Sequence, residues 1–254
     1  MSAKHAPGAA IAAVTFDLGD TLTDLREGSG DYEARSLLRA RRVYDLLVGA
    51  GARPGEREEF CAALVRGVED SYAEALARRQ GLRIETALRG FFGQAGLDVG
   101  DGLLDASADA YCAPGPDGLR LRLGARDTLA RLRAAGLRLG VISNTIQPAV
   151  HLDGSLARAG LLDFFSVRTY SSEAGVAKPH PDIFHAALAG LGVPPEHAVH
   201  VGDRLLADVA GAQGVGMRAV LIEVGQRPEW DPAIVPDGRI KELPELPAAL
   251  AALR

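Results

Sequence analysis

The sequence predicts an α/β protein, a doubly wound parallel sheet with an all-helical unit inserted after its first strand. Three observations carry that prediction. Short apolar runs recur along the chain and end in polar or glycine residues, as strands buried on both faces do. Amphipathic segments alternate with the later runs, the order in which crossover helices cover a parallel sheet. One long stretch breaks the alternation and offers helices only.

In chain order, the first strand is expected within Ala9–Phe16. The helical stretch follows, with patterns over Tyr32–Val48, Glu56–Arg79, Ile84–Gln94 and Leu103–Tyr111 and no convincing strand between them. Its borders, Glu27-Gly28-Ser29-Gly30-Asp31 and Pro114-Gly115-Pro116-Asp117-Gly118, favour turns, so they are read as hinges. This places a core domain at 1–27 and 117–254 and an inserted domain at 28–116. Further strands are expected at Leu137–Ile142, Phe165–Tyr170, Ala198–Val201 and Arg218–Ile222. Helices are expected over Arg126–Ala135, Pro181–Gly190 and Leu205–Gly214, each closed by a glycine in a left-handed C-cap. After Gly225, a tail with five prolines is read as a long connection, an edge strand near Arg239–Ile240 and a last helix.

Composition narrows the function classes. The chain has 254 residues, more than one average domain of ~100–200 residues, and is 47% hydrophobic and 24% charged, which excludes a disordered or fibrous chain. A net charge of −5 without a basic stripe argues against nucleic acid or a membrane surface as partner. Cys61 and Cys112 belong to no CxxC or Cys/His cluster, the usage expected of a reduced, cytoplasmic protein. The apolar run Ala9–Phe16 is too short to span a bilayer and lacks a signal-peptide cleavage pattern. Nothing in the sequence bears on oligomeric state.

Four positions at strand ends, or just past them, carry the chemistry, because ligands of open parallel sheets bind there. Asp17 follows the first strand in Phe16-Asp17-Leu18-Gly19-Asp20-Thr21. Ser143 and Asn144 end the strand Leu139–Ile142. Lys178 sits in Ala177-Lys178-Pro179-His180-Pro181, where Pro179 restricts it to extended backbone. Asp203 follows the strand ending in Gly202, and Asp208 lies five residues on. Taken singly, each has an ordinary reading as a helix cap, loop acid or solvated charge. Two close carboxylates also make a hard oxygen site for magnesium.

As a set, and in this order, the four positions resemble the haloacid dehalogenase (HAD) superfamily. The phrases SNT, AKPHPDIF and GDRLLADVAGAQGVGM are similar to its branch with an inserted helical cap, and the segment Tyr32–Cys112 lies where that cap belongs. The resemblance implies a Rossmann-like core and a Mg²⁺-dependent phosphatase acting on a small phosphorylated metabolite. In that reading Asp17 is the nucleophile, and Asp17, the Gly19 carbonyl, Asp203 and Asp208 hold Mg²⁺. Lys178 offsets the charge of Asp17 and the phosphate, while Ser143 and Asn144 donate to phosphate oxygens.

One position departs from the family pattern. Phosphate-ester hydrolases of this superfamily usually carry an acid/base aspartate two residues after the nucleophile, and this chain has Gly19. General acid–base catalysis is typically worth ~10²–10⁴-fold, so its loss slows poor leaving groups most. Asp20, as the neighbouring residue, is expected to point elsewhere unless the turn is rebuilt, and Asp24 is a looser substitute. The alternatives are a substrate with a low-pKa leaving group, a weakly catalytic or non-catalytic phospholigand-binding protein, and a 2-haloacid dehalogenase. Arg35, Arg39, Arg41 and Arg42 near the start of the helical unit cover more than one helix face. His180, His185, His197 and His200 share no metal-ligand spacing and are read as structural.

Overall fold

A computed structural model describes residues 10–24, 29–115, 118–224 and 231–253. Six strands form one parallel sheet: β1 (Ala13–Phe16), β2 (Arg138–Ser143), β3 (Val167–Tyr170), β4 (Ala198–Gly202), β5 (Arg218–Ile222) and β6 (Gly238–Ile240). Their order is β3-β2-β1-β4-β5-β6, and every pair is parallel. The chain therefore leaves β1 to one side and later returns to the other, which puts the topological switch point at β1.

The helices are α1 (Ser29–Gly49), α2 (Arg57–Ala77), α3 (Ile84–Gln94), α4 (Asp101–Cys112), α5 (Ala125–Ala134), α6 (Ala149–Arg158), α7 (Ser171–Ala174), α8 (Pro181–Leu191), α9 (Gly211–Gly214) and α10 (Leu246–Ala252). Strand residues alternate between two apolar layers, as a pleat of period two requires. Val14, Phe16, Val141, Val199 and Val201 pack with Leu129 of α5, Leu156 of α6 and Leu250 of α10. Ala13, Ile142, Ala198 and Leu221 pack with Phe184 and Leu188 of α8 and with Val209 and Ala212. With helices on both faces, all four residues of β1 are buried, which is why its sequence is apolar throughout apart from Thr15.

Helices α1–α4 pack on one another around a separate apolar cluster that includes Val43, Leu64, Leu88, Phe92 and Leu104. Phe60 stands between Tyr44 and Phe91, with ring centroids 5.6 and 5.4 Å away. Cys61 and Cys112 are buried in this cluster as free thiols. Among the described residues, no helix is long and apolar enough to cross a membrane.

Several expected boundaries shift. Ser29-Gly30-Asp31, read as border loop, opens α1, while the proposed boundaries at 27/28 and 116/117 and the chain at 225–230 lie outside the described residues. Gly136 closes α5 in left-handed backbone as expected, but α8 runs past Gly190 and ends at Gly192, φ 64°. At Gly190 a Cβ would lie 2.9 Å from Val167 of β3, so the glycine there serves close helix–strand packing and not a cap. The segment read as one helix over Leu205–Gly214 divides into a π-type turn, Leu205–Ala210, and α9, with left-handed Gly216 beyond. Helix α6 lacks an evident sequence signal, since Gly154 interrupts a pattern whose buried positions are only Leu152 and Leu156. The expected edge strand and last helix are present as β6 and α10.

Candidate active site

The carboxyl ends of β1, β2 and β4 converge at the switch point. The backbone N–H of Asp17 still donates to Val201 of β4 at 2.9 Å, so the sheet itself holds this residue's main chain. Ser143 ends β2 and Asp203 follows β4, and both are buried. Together with Gly19, Asp20, Asn144, Lys178 and Asp208 they line a cavity of about 220 Å³. Tyr72 and Leu76 of α2 line the same cavity, so the helical unit forms part of its wall.

Lys178 is the hub. Its Nζ donates to Asp17 Oδ1 at 2.8 Å, to Asp208 Oδ1 at 2.6 Å and to the Ile142 carbonyl at 2.8 Å, and its side chain is 2% exposed. All three ammonium donors are thus used, which is how a buried lysine stays charged. Burial alone would lower its pKa, but Asp17 and Asp208 outweigh burial and the net direction is upward.

The two carboxylates respond differently. Burial pushes the Asp17 carboxyl above the usual carboxylate range; Lys178 pulls it back, and the charge of Asp208 adds to the rise. Asp208 also suffers burial, yet Lys178 and His200 hold it well below that range. Its oxygens are engaged on both sides: Oδ1 by Lys178 and by His200 Nε2 at 3.2 Å, Oδ2 by the backbone N–H of Arg204 at 2.9 Å. Burial lowers the His200 pKa, so the ring is neutral near pH 7. A neutral ring must donate from Nε2 to the carboxylate, which leaves Nδ1 to accept from the Thr15 hydroxyl at 2.9 Å.

Asp17, Asp203 and Asp208 present carboxylate oxygens within 4.8 Å of one another. Three acids beside one ammonium leave an excess of negative charge in a buried place. A hard divalent cation with oxygen preference fits that donor set.

Asn144 lines the cavity, and its amide has a second task that the sequence did not suggest. Its Nδ2 donates to the Lys178 carbonyl at 3.0 Å and its Oδ1 accepts from the Lys178 N–H at 2.8 Å. The amide therefore clamps the backbone of the lysine loop. Asp20 adopts left-handed backbone, φ 55°, and lies on the cavity wall, 8% exposed. Asp24 lines a different depression with Arg122 and Glu242. His180 accepts from the Asp182 N–H at 3.3 Å as the N-cap of α8.

Sequence reasoning missed Tyr72 and the Thr15–His200–Asp208 chain. The register pair Thr15↔His200 was available only once β1 and β4 were known to be neighbours. Tyr72 and Leu76 share a helix face at i, i+4, but nothing local says that this face meets the sheet edge.

Known proteins with this architecture share the chain's pattern. A family model described as haloacid dehalogenase-like hydrolase matches residues 11–216. A haloacid dehalogenase-like hydrolase domain-containing protein 3 from Danio rerio is 32% identical over 247 residues, covering 93% of this chain and 95% of that protein. A glyceraldehyde 3-phosphate phosphatase from Methanopyrus kandleri is 33% identical over 249 residues, with 93% and 95% covered. The crystal structure of a 2-haloacid dehalogenase from Pseudomonas syringae superposes with a TM-score of 0.72 at 29% identity, over 96% of this chain and 100% of that one. Family model and full-length relatives agree with this fold, and the chain belongs to the haloacid dehalogenase-like hydrolases.

Proposed function

We propose that the protein is a Mg²⁺-dependent phosphatase that hydrolyses a small phosphorylated metabolite through a phospho-Asp17 intermediate. The observation that carries this reading is the bridge from Lys178 to Asp17 and Asp208 inside a buried acidic pocket. Full-length similarity to a phosphatase supports it.

An Asp17 carboxylate oxygen attacks phosphorus, the P–O ester bond breaks, and the leaving oxygen departs with the bond's electron pair. Water then attacks phosphorus, the P–O bond to Asp17 breaks with its electron pair returning to the carboxylate, and phosphate leaves while one water proton passes through solvent to the departed oxygen. Splitting the displacement in this way replaces one hard step with two easier ones. Lys178 favours the ionised form of Asp17 against burial and offsets charge as phosphate approaches, while the Ser143 hydroxyl donates to a phosphate oxygen. Asp17, Asp203 and the Gly19 carbonyl would hold Mg²⁺, with Asp208, already engaged on both oxygens, just behind. When bound, the ion screens the anionic nucleophile from the anionic ester.

The helical segment, read as 28–116, acts as the cap that excludes water and selects substrate. Its own apolar cluster and the presence of Tyr72 and Leu76 on the cavity wall support this role. Gly19 restricts the enzyme to leaving groups that need little protonation.

Hydrolysis of an aryl phosphate with and without Mg²⁺ tests the reading. The expected outcome is turnover that depends on Mg²⁺ and falls ~10³-fold or more in Asp17→Asn; full activity in that variant overturns it. Gly19 and the superposition on a dehalogenase favour one second reading, attack of Asp17 on carbon. That reading requires halide release from a 2-haloacid unaffected by a chelator.

A further inference from the structure

The wall of the Asp17 cavity divides by origin. Gly19, Asp20, Ser143, Lys178 and Asp203 belong to the core, at strand ends or in the loops beyond them, whereas α2 of the helical unit supplies Tyr72 and Leu76. Among the described residues, the unit contributes these two alone to this wall. The four arginines near its start lie elsewhere. Arg41 pairs with Glu58 at 3.0 Å, Arg42 donates to the carbonyls of Ala113 and Pro114 at 2.6 and 3.2 Å, and Arg35 and Arg39 line a separate, neighbouring cavity of about 250 Å³.

Phosphoryl transfer imposes a direction on the site, because the attacking and leaving oxygens stand roughly in line across phosphorus. Asp17 attacks from the end of β1, so the leaving oxygen points away from the strand ends and toward the wall that α2 provides. Leu76 offers that oxygen no donor. Tyr72 offers an O–H, and among the described residues this hydroxyl has no hydrogen-bond partner. It lies within electrostatic reach of Asp17, and burial together with that charge pushes its pKa up, so the phenol keeps its proton and stays a donor. Gly19 has no proton to give.

We infer that the Tyr72 hydroxyl is a catalytic hydrogen-bond donor to the leaving-group oxygen, acting from the helical unit where Gly19 leaves the core without an acid at the usual position. The inference rests on the phosphatase reading. As the P–O ester bond breaks, its electron pair goes to the leaving oxygen; the phenol donates a hydrogen bond to that oxygen and keeps its proton, and the departed oxygen is protonated from solvent. Such a donor stabilises developing charge without neutralising it, so it matters most where the leaving group is basic.

Hydrolysis of 2,4-dinitrophenyl, 4-nitrophenyl and phenyl phosphate, in order of rising leaving-group pKa, tests this with Mg²⁺ in the wild-type protein, Tyr72→Phe and Asp20→Asn. The readout is kcat/KM, which covers only the steps through departure of the leaving group. Tyr72→Phe keeps the ring and removes the hydroxyl. Its kcat/KM is expected to fall roughly 10–100-fold for phenyl phosphate and about threefold or less for 2,4-dinitrophenyl phosphate. An equal fall for all three esters, or no fall for any, overturns the inference and leaves the phosphatase reading standing, since a residue that merely shapes the cavity produces no such gradient. A gradient that appears in Asp20→Asn and not in Tyr72→Phe places the donor in the turn after β1 and also overturns it. Because the hydroxyl has no partner to lose, Tyr72→Phe should keep the wild-type Tm within about 2 °C; a variant that does not fold reveals a structural role for the hydroxyl and counts against the inference. No turnover of any ester by the wild-type protein removes the phosphatase reading, and the inference with it.

Discussion

Gly202 shows how tightly single residues are fixed around the site. A Cβ there would lie 2.2 Å from Asp208 Cγ, and that carboxylate cannot swing away without leaving Lys178, His200 and the Arg204 N–H. Gly202→Ala is therefore expected to cost about 1–3 kcal/mol, the usual range for overpacking, read as a fall in Tm of ~2–10 °C. Activity should fall at least tenfold, because displacing Asp208 frees Lys178 from the orientation in which it meets Asp17; a fully active variant would refute the positioning argument. The same crowding explains why Gly-Asp, not simply Asp, ends β4. At this scale the sequence was legible for Asp17, Ser143, Lys178, Asp203 and Asp208, since each ends or follows a recognisable apolar run. It was not legible for Asn144, whose amide serves Lys178 from 34 residues away.

Among elements, the turn between α2 and α3 joins the helical unit to the lysine loop. The Gly81 N–H donates to the Gly175 carbonyl, and the Ala177 N–H donates to the Arg79 carbonyl, both at 3.0 Å. Ala177 immediately precedes Lys178. A Cβ on Gly81 would lie 1.8 Å from the carbonyl oxygen of Ser171, backbone against which no side chain can rotate aside. Gly81→Ala should undock this turn while the three apolar clusters stay folded. The expected result is a fall in kcat/KM of roughly tenfold or more with unchanged far-UV circular dichroism, whereas unchanged kinetics would show that the contact does not help position Lys178. Two further links, the Ile84 N–H to the Ile146 carbonyl and His151 Nε2 to Asp109 Oδ1, each 2.9 Å, hold the two parts together. The helices of the unit were legible to within a few residues because each has its own apolar face. Helix α6 was not, because few of its positions are buried.

For the molecule as a whole, folding gathers acids that repel one another, and the Lys178 ammonium compensates them only in part. A ligand that binds only the folded state stabilises it by about 2.7 kcal/mol at 100 times its Kd, which for a chain of this size is a Tm rise of ~5–10 °C. Mg²⁺ is expected to produce that rise, a chelator to reverse it, and Asp203→Asn to abolish most of it. An unchanged Tm at saturating Mg²⁺ would count against the acidic cluster as a cation site. Local signals determined a great deal here: buried parallel strands are apolar throughout, helices declare themselves by period and by caps, and the site residues follow strand ends. Those properties depend on neighbours a few residues away, so they can be read along the chain. Only the tertiary structure decided that Asn144 clamps the lysine loop, that His200 joins Thr15 to Asp208, that Tyr72 faces the site, and that two of four arginines line a cavity. Each of these depends on which surfaces meet when sheet and helices close on one another, and no sequence period encodes that meeting.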